Sequence, residues 1–133
     1  MVSYDRNEYY RLQVNGEGGG PGQIGWSVMT DAGQADYGSV ARVDDGEWHH
    51  VVGTFNKGTL RIFVDGVPQP AATSGSTFGS GNRRFGYIGT GSESTEYNLE
   101  PRTPAEHIVG EVDDVRIYHR ALLPGEITTL ASE

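Results

Sequence analysis

Residues 45–67 read DGEWHHVVGTFNKGTLRIFVDGV and hold two short apolar runs with a period of two. Leucine, isoleucine and valine alternate between residues 60 and 64, which places their side chains on one face of a β-strand. Asp65-Gly66 follows at once, and this pair favours the positive φ angles of a tight hairpin turn. Pro68 then limits the length of the returning strand. The stretch therefore predicts antiparallel strands joined by tight turns.

The same period recurs on both sides of this stretch. Apolar residues alternate in the segments YYRLQV, QIGWSVM, SVARV, RFGYIG and HIVGEVDDVRIYHRAL, the last of which we predict to be the closing strand. Residues 15–22, 30–38 and 90–106 are polar or glycine-rich and predict loops, the first of them a long hairpin connection. Pro124 begins one short helical turn. Seven or eight short strands without a crossover helix predict an all-β, antiparallel two-sheet sandwich, or jelly roll, as a single domain over residues 1–133.

Composition excludes several classes of function. The net charge is −8 and no basic stripe is visible, which argues against nucleic acid and against an anionic membrane surface. No apolar run approaches the roughly 20 residues that a membrane span needs. The N-terminus MVSYDRNEYY is not the pattern of a signal peptide. The chain has no cysteine, so disulfides, thiolate metal sites and thiol nucleophiles are absent.

Two segments together resemble a known family. Residues 45–67 carry Gly-x-Trp-His-His-Val-Val and Val-Asp-Gly, and residues 110–130 read GEVDDVRIYHRALLPGEITTL. They are similar to the laminin-G-like domains of the concanavalin A-like lectin/glucanase fold. The resemblance implies a two-sheet jelly roll that serves as a non-catalytic module of secreted or surface proteins and binds glycans or proteins. It also implies that many members hold a structural calcium ion.

The front of the chain departs from this pattern. Family domains usually begin with further strands, and nothing before YYRLQV matches them, so we expect an N-terminally shortened domain. Uncovered sheet edges invite pairing with another chain. We therefore expect a homo-oligomer in which two or more copies complete the exposed edges.

The acids of the stretch EVDDVRIYHRAL, residues 111–122, allow a catalytic interpretation. Glycosidases of the laminarinase type share the fold and use Glu-x-Asp-x-x-Glu on one strand, where the outer carboxyls lie about 5–5.5 Å apart. Glu111 and Asp113 match the first two positions, but Arg116 occupies the third. An arginine neither donates a proton at neutral pH nor attacks as a nucleophile. We therefore expect no enzyme.

Calcium is the one cofactor that the resemblance implies, and Asp113 is its best candidate ligand. Calcium takes six to eight oxygen ligands, and this chain lacks the front of the domain from which most of the family's ligands come. Asp31 and Asp36 lie in a glycine-containing stretch without EF-hand spacing. An alternative stays open, in which Asp113 and Asp114 cap or bulge the strand and pair with Arg116 or Arg120.

The histidines and tryptophans favour structural roles. His49 and His50 are adjacent and point to opposite faces of a strand, so they cannot bind one metal together. In the resembling family this pair is a hallmark of the fold, which implies that one ring is buried and hydrogen-bonded. Trp26 and Trp48 lie on predicted strand faces, and we expect both in the core.

Carbohydrate is the leading ligand class, because sugar rings stack on exposed aromatic rings beside polar side chains. The candidate ligand-binding residues lie in predicted loops or beside them, and they are Tyr37, Arg84, Tyr87, Tyr97 and Asn98. Plain turn packing of the tyrosines is the competing interpretation. We expect a glycan-binding or adhesion module, extracellular or at the cell surface. A protein-interaction or self-assembly module is the alternative.

Overall fold

The computed structural model describes residues 1–4, 9–79, 86–90, 96–97, 100–101 and 107–133. These residues form eleven β-strands and one short helix, which confirms the predicted all-β class. The strands are β1 (Val2–Tyr4), β2 (Tyr10–Val14), β3 (Gln23–Thr30), β4 (Gly33–Arg42), β5 (Val51–Asn56), β6 (Thr59–Val64), β7 (Val67–Pro68), β8 (Ala72–Thr73), β9 (Tyr87–Ile88), β10 (Glu96–Tyr97) and β11 (Glu100–Pro101). The helix, α1, spans Pro124–Leu130 and begins at the predicted proline.

Two antiparallel sheets form the sandwich. The first sheet has five strands in the order β4-β3-β2-β1-β9. The second has four, in the order β5-β6-β7, with β8 also paired to β6. β10 and β11 pair with each other. Asp65 and Gly66 have φ angles of 53° and 75°, which confirms the tight turn predicted between β6 and β7.

The main core lies between the inner faces of the two sheets. Alternate residues of β3 and β6 supply its fully buried members, which are Ile24, Trp26, Val28, Leu60, Ile62 and Val64. Trp26 packs on Gly53 of β5, and its indole N–H donates to the carbonyl oxygen of Thr54 at 3.1 Å. The predicted core position of Trp26 is therefore confirmed, and this tryptophan joins the two sheets.

A second apolar cluster covers the outer face of the second sheet. Phe63 of β6 packs there with Leu122 and Ile127, and Val52 and Leu130 contribute partly buried side chains. Ile127 is the buried residue of α1, so the helix attaches to the sheet mainly through this side chain. The carboxylate of Glu126 accepts the backbone N–H of Leu123 at 2.7 Å and thereby caps the helix.

The prediction of a loop over residues 30–38 is wrong. β3 and β4 form a tight hairpin with Thr30 opposite Gly33, and β4 continues without a break to Arg42. The stretch is polar because the outer face of β4 is exposed, while Ala35 and Tyr37 face the core. A half-exposed strand whose inward residues include only alanine and tyrosine has too weak an apolar signal to be distinguished from a loop.

The predicted closing strand is also wrong. Residues 111–118 are extended and exposed, and they belong to none of the strands in the described part of the chain. Asp114 has a φ of 49°, which interrupts the regular extended backbone, and its N–H bonds to the carboxylate of Asp113 at 2.8 Å. The apolar alternation is present, but a strand also requires a hydrogen-bonded neighbour, and the described strands supply none here.

Trp48 is the third correction. We expected its side chain in the core, but it is 66% exposed. β5 begins only at Val51, so Trp48 lies in the connection before the strand and not on a strand face. Burial there depends on what packs over the connection, and alternation alone does not reveal that.

Candidate functional site

The outer face of the five-stranded sheet carries polar side chains in one transverse row. The strand register places one residue of each strand side by side, which defines the polar row as Tyr87, Ser3, Arg11, Ser27 and Asp36. Successive residues of a strand point to opposite faces, so this row lies opposite the core. Hydroxyl, guanidinium and carboxylate groups thus share one surface.

The glycine-rich loop of residues 15–22 lies against this face. Gly25 of β3 is paired with Gly38 of β4. A Cβ atom on Gly25 would come within 2.6 Å of the Gly16 backbone, and one on Gly38 within 2.0 Å of the Gly18 carbonyl oxygen. The loop can approach so closely only because both strand positions are glycine. It is the predicted connection of a hairpin, and it forms a wall beside the polar row.

The middle of the polar row is buried and its charge is neutralised. Arg11 is only 2% exposed and forms an ion pair with Glu17 of the glycine-rich loop. Ser3 and Ser27, its neighbours in the row, are buried as well. A buried guanidinium requires such a partner, because an unpaired buried charge is strongly destabilising. The pair therefore fixes the glycine-rich loop to the sheet.

The ends of the polar row reach solvent. At one end Asp36 is exposed, and the side-chain amide of Gln34, two residues earlier on the same face, donates to both of its carboxylate oxygens at 3.1 Å. At the other end Tyr87 is half-buried. Carboxylate and amide groups bind hydroxyls by hydrogen bonds, and a phenol ring offers a stacking face. The two ends lie four strands apart in the sheet.

The predicted ligand residues do not all share this surface. Tyr87 lies on the outer face, but Tyr37 is paired with Trp26 and faces the core. Burial is the main cause that raises the pKa of the Tyr37 phenol, and Arg61 opposes the shift. Its hydroxyl has no hydrogen-bond partner among the described residues. The loop position predicted for Tyr37 is wrong, and a joint site of Tyr37 and Tyr87 would need both faces of one sheet.

The other predicted ligand residues remain predictions. Tyr97 belongs to β10, whose partner is β11. Arg84 and Asn98 lie outside the described residues. Their ligand-binding roles, like those of Tyr37 and Tyr87, are untested by the fold.

Asp113 and Asp114 form local hydrogen bonds and an ion pair within the described part of the chain. One of its oxygens accepts the N–H of Asp114, and both oxygens of Asp114 accept hydrogen bonds from Arg116 at 2.7 and 2.8 Å. No group of three or more His, Asp or Glu side chains converges among the described residues. Calcium needs six to eight oxygens. This geometry matches the alternative in which the two aspartates shape the backbone and pair with arginine, and calcium binding rests on the family resemblance alone.

Arg116 is held as a cation at the position where a glycosidase would need its third acid. It also donates to Glu133 at 3.1 Å, and the carboxylates around it, Asp114 first, raise its pKa. Glu111 and Asp113 therefore have no third carboxyl at this position, as predicted from the sequence.

His49 is hydrogen-bonded through both ring nitrogens. Nδ1 lies 2.8 Å from Asp65 and Nε2 lies 2.9 Å from Asp45, and the side chain is only 15% exposed. The hydrogen bonds to Asp65 and Asp45 raise the pKa of the His49 imidazole, because the protonated ring donates to both carboxylates. One largely buried, hydrogen-bonded ring was predicted for this pair. The two aspartates, 20 residues apart, were not, and this cluster fixes the β6–β7 turn to the connection before β5.

Comparison with known proteins identifies the family. The model described as the concanavalin A-like lectin/glucanases superfamily, of the laminin-G type, matches residues 1–128. The sushi, von Willebrand factor type A, EGF and pentraxin domain-containing protein 1 of Rattus norvegicus is 28% identical over 110 residues, which are 81% of this chain and 3% of that protein. The crystal structure of residues 221–444 of an S-layer domain-containing protein from Clostridium thermocellum is 26% identical, with a TM-score of 0.54, and the match covers 98% of this chain and 61% of that one.

The chain thus spans a small part of the curated relative and about three fifths of the solved one. Among the described residues, α1 is far too short to cross a membrane, and no longer apolar helix occurs. Together the matches support an extracellular binding or adhesion module.

Proposed function

The chain belongs to the concanavalin A-like lectin/glucanases superfamily, and from this premise we propose that it is a non-catalytic carbohydrate-binding module of a secreted or surface protein. The polar row on the outer face of the five-stranded sheet carries this proposal. The inner face of the same sheet packs in the main core, whereas its outer face carries the polar row. The chemistry of the row is that of a sugar site.

In this proposal the exposed end of the polar row makes the decisive contacts. Asp36 accepts hydrogen bonds from two adjacent sugar hydroxyls, and Gln34 donates and accepts beside it. Tyr87 supplies a ring face at the other end of the row. The Arg11–Glu17 pair holds the glycine-rich loop in place but makes no direct contact in this scheme, because Arg11 is buried.

Binding to a glycan array, with calcium and with a chelator, tests the proposal. We expect the wild type to bind a limited set of glycans, and the Asp36→Asn/Gln34→Ala variant to bind them about tenfold more weakly, since a hydrogen bond to a charged group contributes roughly 1.5–3 kcal/mol. Glu47→Gln is the matched control, because it neutralises another exposed carboxylate that is not on the five-stranded sheet. Absence of glycan binding in both conditions, or equal binding by the Asp36 variant, would refute the site. Loss of binding with the chelator would show calcium dependence.

A protein-interaction or assembly module is the second candidate. The observation in its favour is the run of exposed apolar side chains between Val109 and Tyr118, together with the exposed Trp48. Large exposed apolar surface marks interaction sites in soluble proteins.

A further inference from the structure

Residues 111–118, called here the extended segment, have the features of a strand without a neighbour. After Asp114, whose φ of 49° interrupts the extended backbone, residues 115–118 carry no turn or bend, and Ile117 is 64% exposed. Val112, Val115 and Tyr118 expose further apolar surface. Within the described part of the chain, no backbone–backbone hydrogen bond involves residues 109–122. Extended backbone with free N–H and C=O groups is a template for pairing with another strand.

The second sheet ends in an edge that is open among the described strands. β5 is hydrogen-bonded to β6 on one side only. Trp48, three residues before Val51 in the sequence, is exposed near the start of this edge. Among the described residues, both a strand-like segment and a strand edge are therefore without a neighbouring strand.

We propose that the extended segment of one copy adds as an antiparallel strand to the β5 edge of a second copy, and that the exchange is reciprocal. Each copy then donates one strand and accepts one, which closes a twofold dimer. This gives a specific form to the homo-oligomer expected from the sequence. It does not use the polar row, so it stands or falls separately from the proposed glycan site.

One antiparallel register agrees with the alternation of both strands. It pairs Val115 with Phe55, Arg116 with Thr54, Ile117 with Gly53, and Tyr118 with Val52. The inner face of β5 holds Gly53 and Phe55, so Val115 and Ile117 would extend the main core beside the Trp26 ring, which itself packs on Gly53. The outer face receives Arg116 and Tyr118, and Tyr118 meets the second apolar cluster at Val52.

Charge favours this antiparallel direction over a parallel one. Asp113 and Asp114 precede the paired residues and come to the end of β5 that Lys57 follows. Arg120, at the other end, comes to the side where Asp45 and Glu47 precede β5. A parallel arrangement would bring acids to acids. Complementary charge selects direction and register in strand pairing.

Contacts within one copy attach the extended segment to the ends of α1. Arg116 donates to Glu133, beyond the C-terminal end of α1, and Arg120 donates to Glu126 in its first turn. α1 itself lies over the outer face of the second sheet through Ile127. Among the described residues, no backbone hydrogen bond joins the segment to β5 of the same copy.

Light scattering coupled to size-exclusion chromatography gives the first test. We expect the wild type to be a dimer at micromolar concentration and Ile117→Lys to be a monomer with an unchanged far-UV circular dichroism spectrum, because Ile117 is exposed within one copy. Val109→Lys is the matched control, since it places the same charge on a fully exposed residue outside the pairing register. The wild type is measured over a 100-fold range of concentration. A wild type that stays monomeric up to the highest concentration tested, or a dimeric Ile117→Lys variant, overturns the proposal.

Cysteine cross-linking gives the second test, and the absence of native cysteines makes it clean. Thr54→Cys and Arg116→Cys chains are mixed and oxidised, and we expect a disulfide-linked dimer of the two different chains, because opposed strand residues lie within bonding distance. Arg61→Cys, on β6 and not at the edge, replaces Thr54→Cys as the control and is expected not to cross-link. Equal cross-linking by the control overturns the register. A disulfide within one chain of the Thr54→Cys/Arg116→Cys double variant, without linked dimers, overturns pairing between copies.

Discussion

Replacement of Gly53 by alanine is expected to destabilise the contact between the two sheets. The new Cβ atom would lie 2.8–3.0 Å from three ring atoms of Trp26, closer than van der Waals contact allows. The ring cannot swing aside at low cost, because it is only 6% exposed and its indole N–H is bonded to the carbonyl of Thr54. Trp26 or the backbone of β5 must therefore shift.

The expected loss follows from two opposing effects. Forcing one additional methyl group into a packed core costs about 1–3 kcal/mol. Removing a glycine from a strand interior recovers roughly 0.5–1 kcal/mol of backbone entropy. Overpacking is the larger effect, so we expect Gly53→Ala to lower the free energy of unfolding by about 1 kcal/mol, and the melting temperature by a few degrees.

Urea denaturation at one protein concentration measures this loss, since self-association would make the midpoint depend on concentration. Gly125→Ala is the matched control, because no atom lies within 4 Å of a Cβ there, and we expect no loss of stability. Adding Trp26→Phe should reduce the penalty of Gly53→Ala, since the smaller ring leaves room for the methyl group. A Gly53→Ala variant as stable as the wild type, or an equal penalty with phenylalanine at position 26, would contradict the packing argument.

Three further predictions concern the helix and two titrating groups. Ile127→Ala should lower the free energy of unfolding by about 2–5 kcal/mol in urea denaturation, because the side chain is fully buried and anchors α1. The pKa of His49 is raised, so its stabilising contribution is complete below the unfolded pKa of about 6.5 and is lost as pH rises through the folded pKa. The urea midpoint of the wild type should therefore fall over that pH window, while the midpoint of His49→Gln should stay constant. Hydrogen bonds from Arg120 and from the Leu123 N–H lower the pKa of Glu126 to about 2, so its contribution is present above the unfolded value and is lost as pH falls toward 2. NMR titration of its carboxyl should show that pKa, and Arg120→Ala should raise it.

Local sequence signals predicted the second sheet well. Alternation from Leu60 to Val64 and the Asp65-Gly66 pair specify a strand and its turn within a few residues, and both occur as predicted. The first part of β4 was missed for the same local reason, because its inward residues Ala35 and Tyr37 give little apolar contrast with their polar neighbours, whereas its second part falls in the predicted strand SVARV. Apolar and polar residues do alternate in the first part, but the difference in hydropathy between neighbouring residues is small.

Features that depend on distant residues could not be predicted in this way. The polar row combines side chains from Ser3 to Tyr87, and only the register of five strands brings them side by side. The exposure of Trp48 and the lack of a strand at residues 111–118 have one physical reason in common. An apolar residue becomes buried, and an extended segment becomes a strand, only when another part of a chain lies against it.

The two proposed surfaces lie apart, and this separation has a measurable consequence. The polar row faces away from the core on the first sheet, while the proposed pairing extends the second sheet, so a dimer would present two polar rows at once. Two linked sites bind a glycan-coated surface far more tightly than one site, typically by a factor of about 10²–10⁴. We therefore expect Ile117→Lys to weaken binding to a densely coated surface while leaving the affinity for a soluble monovalent glycan unchanged. Weakening of both to the same extent would show that the substitution damages the sugar site itself, and equal retention on the dense surface would show that the copies do not act together.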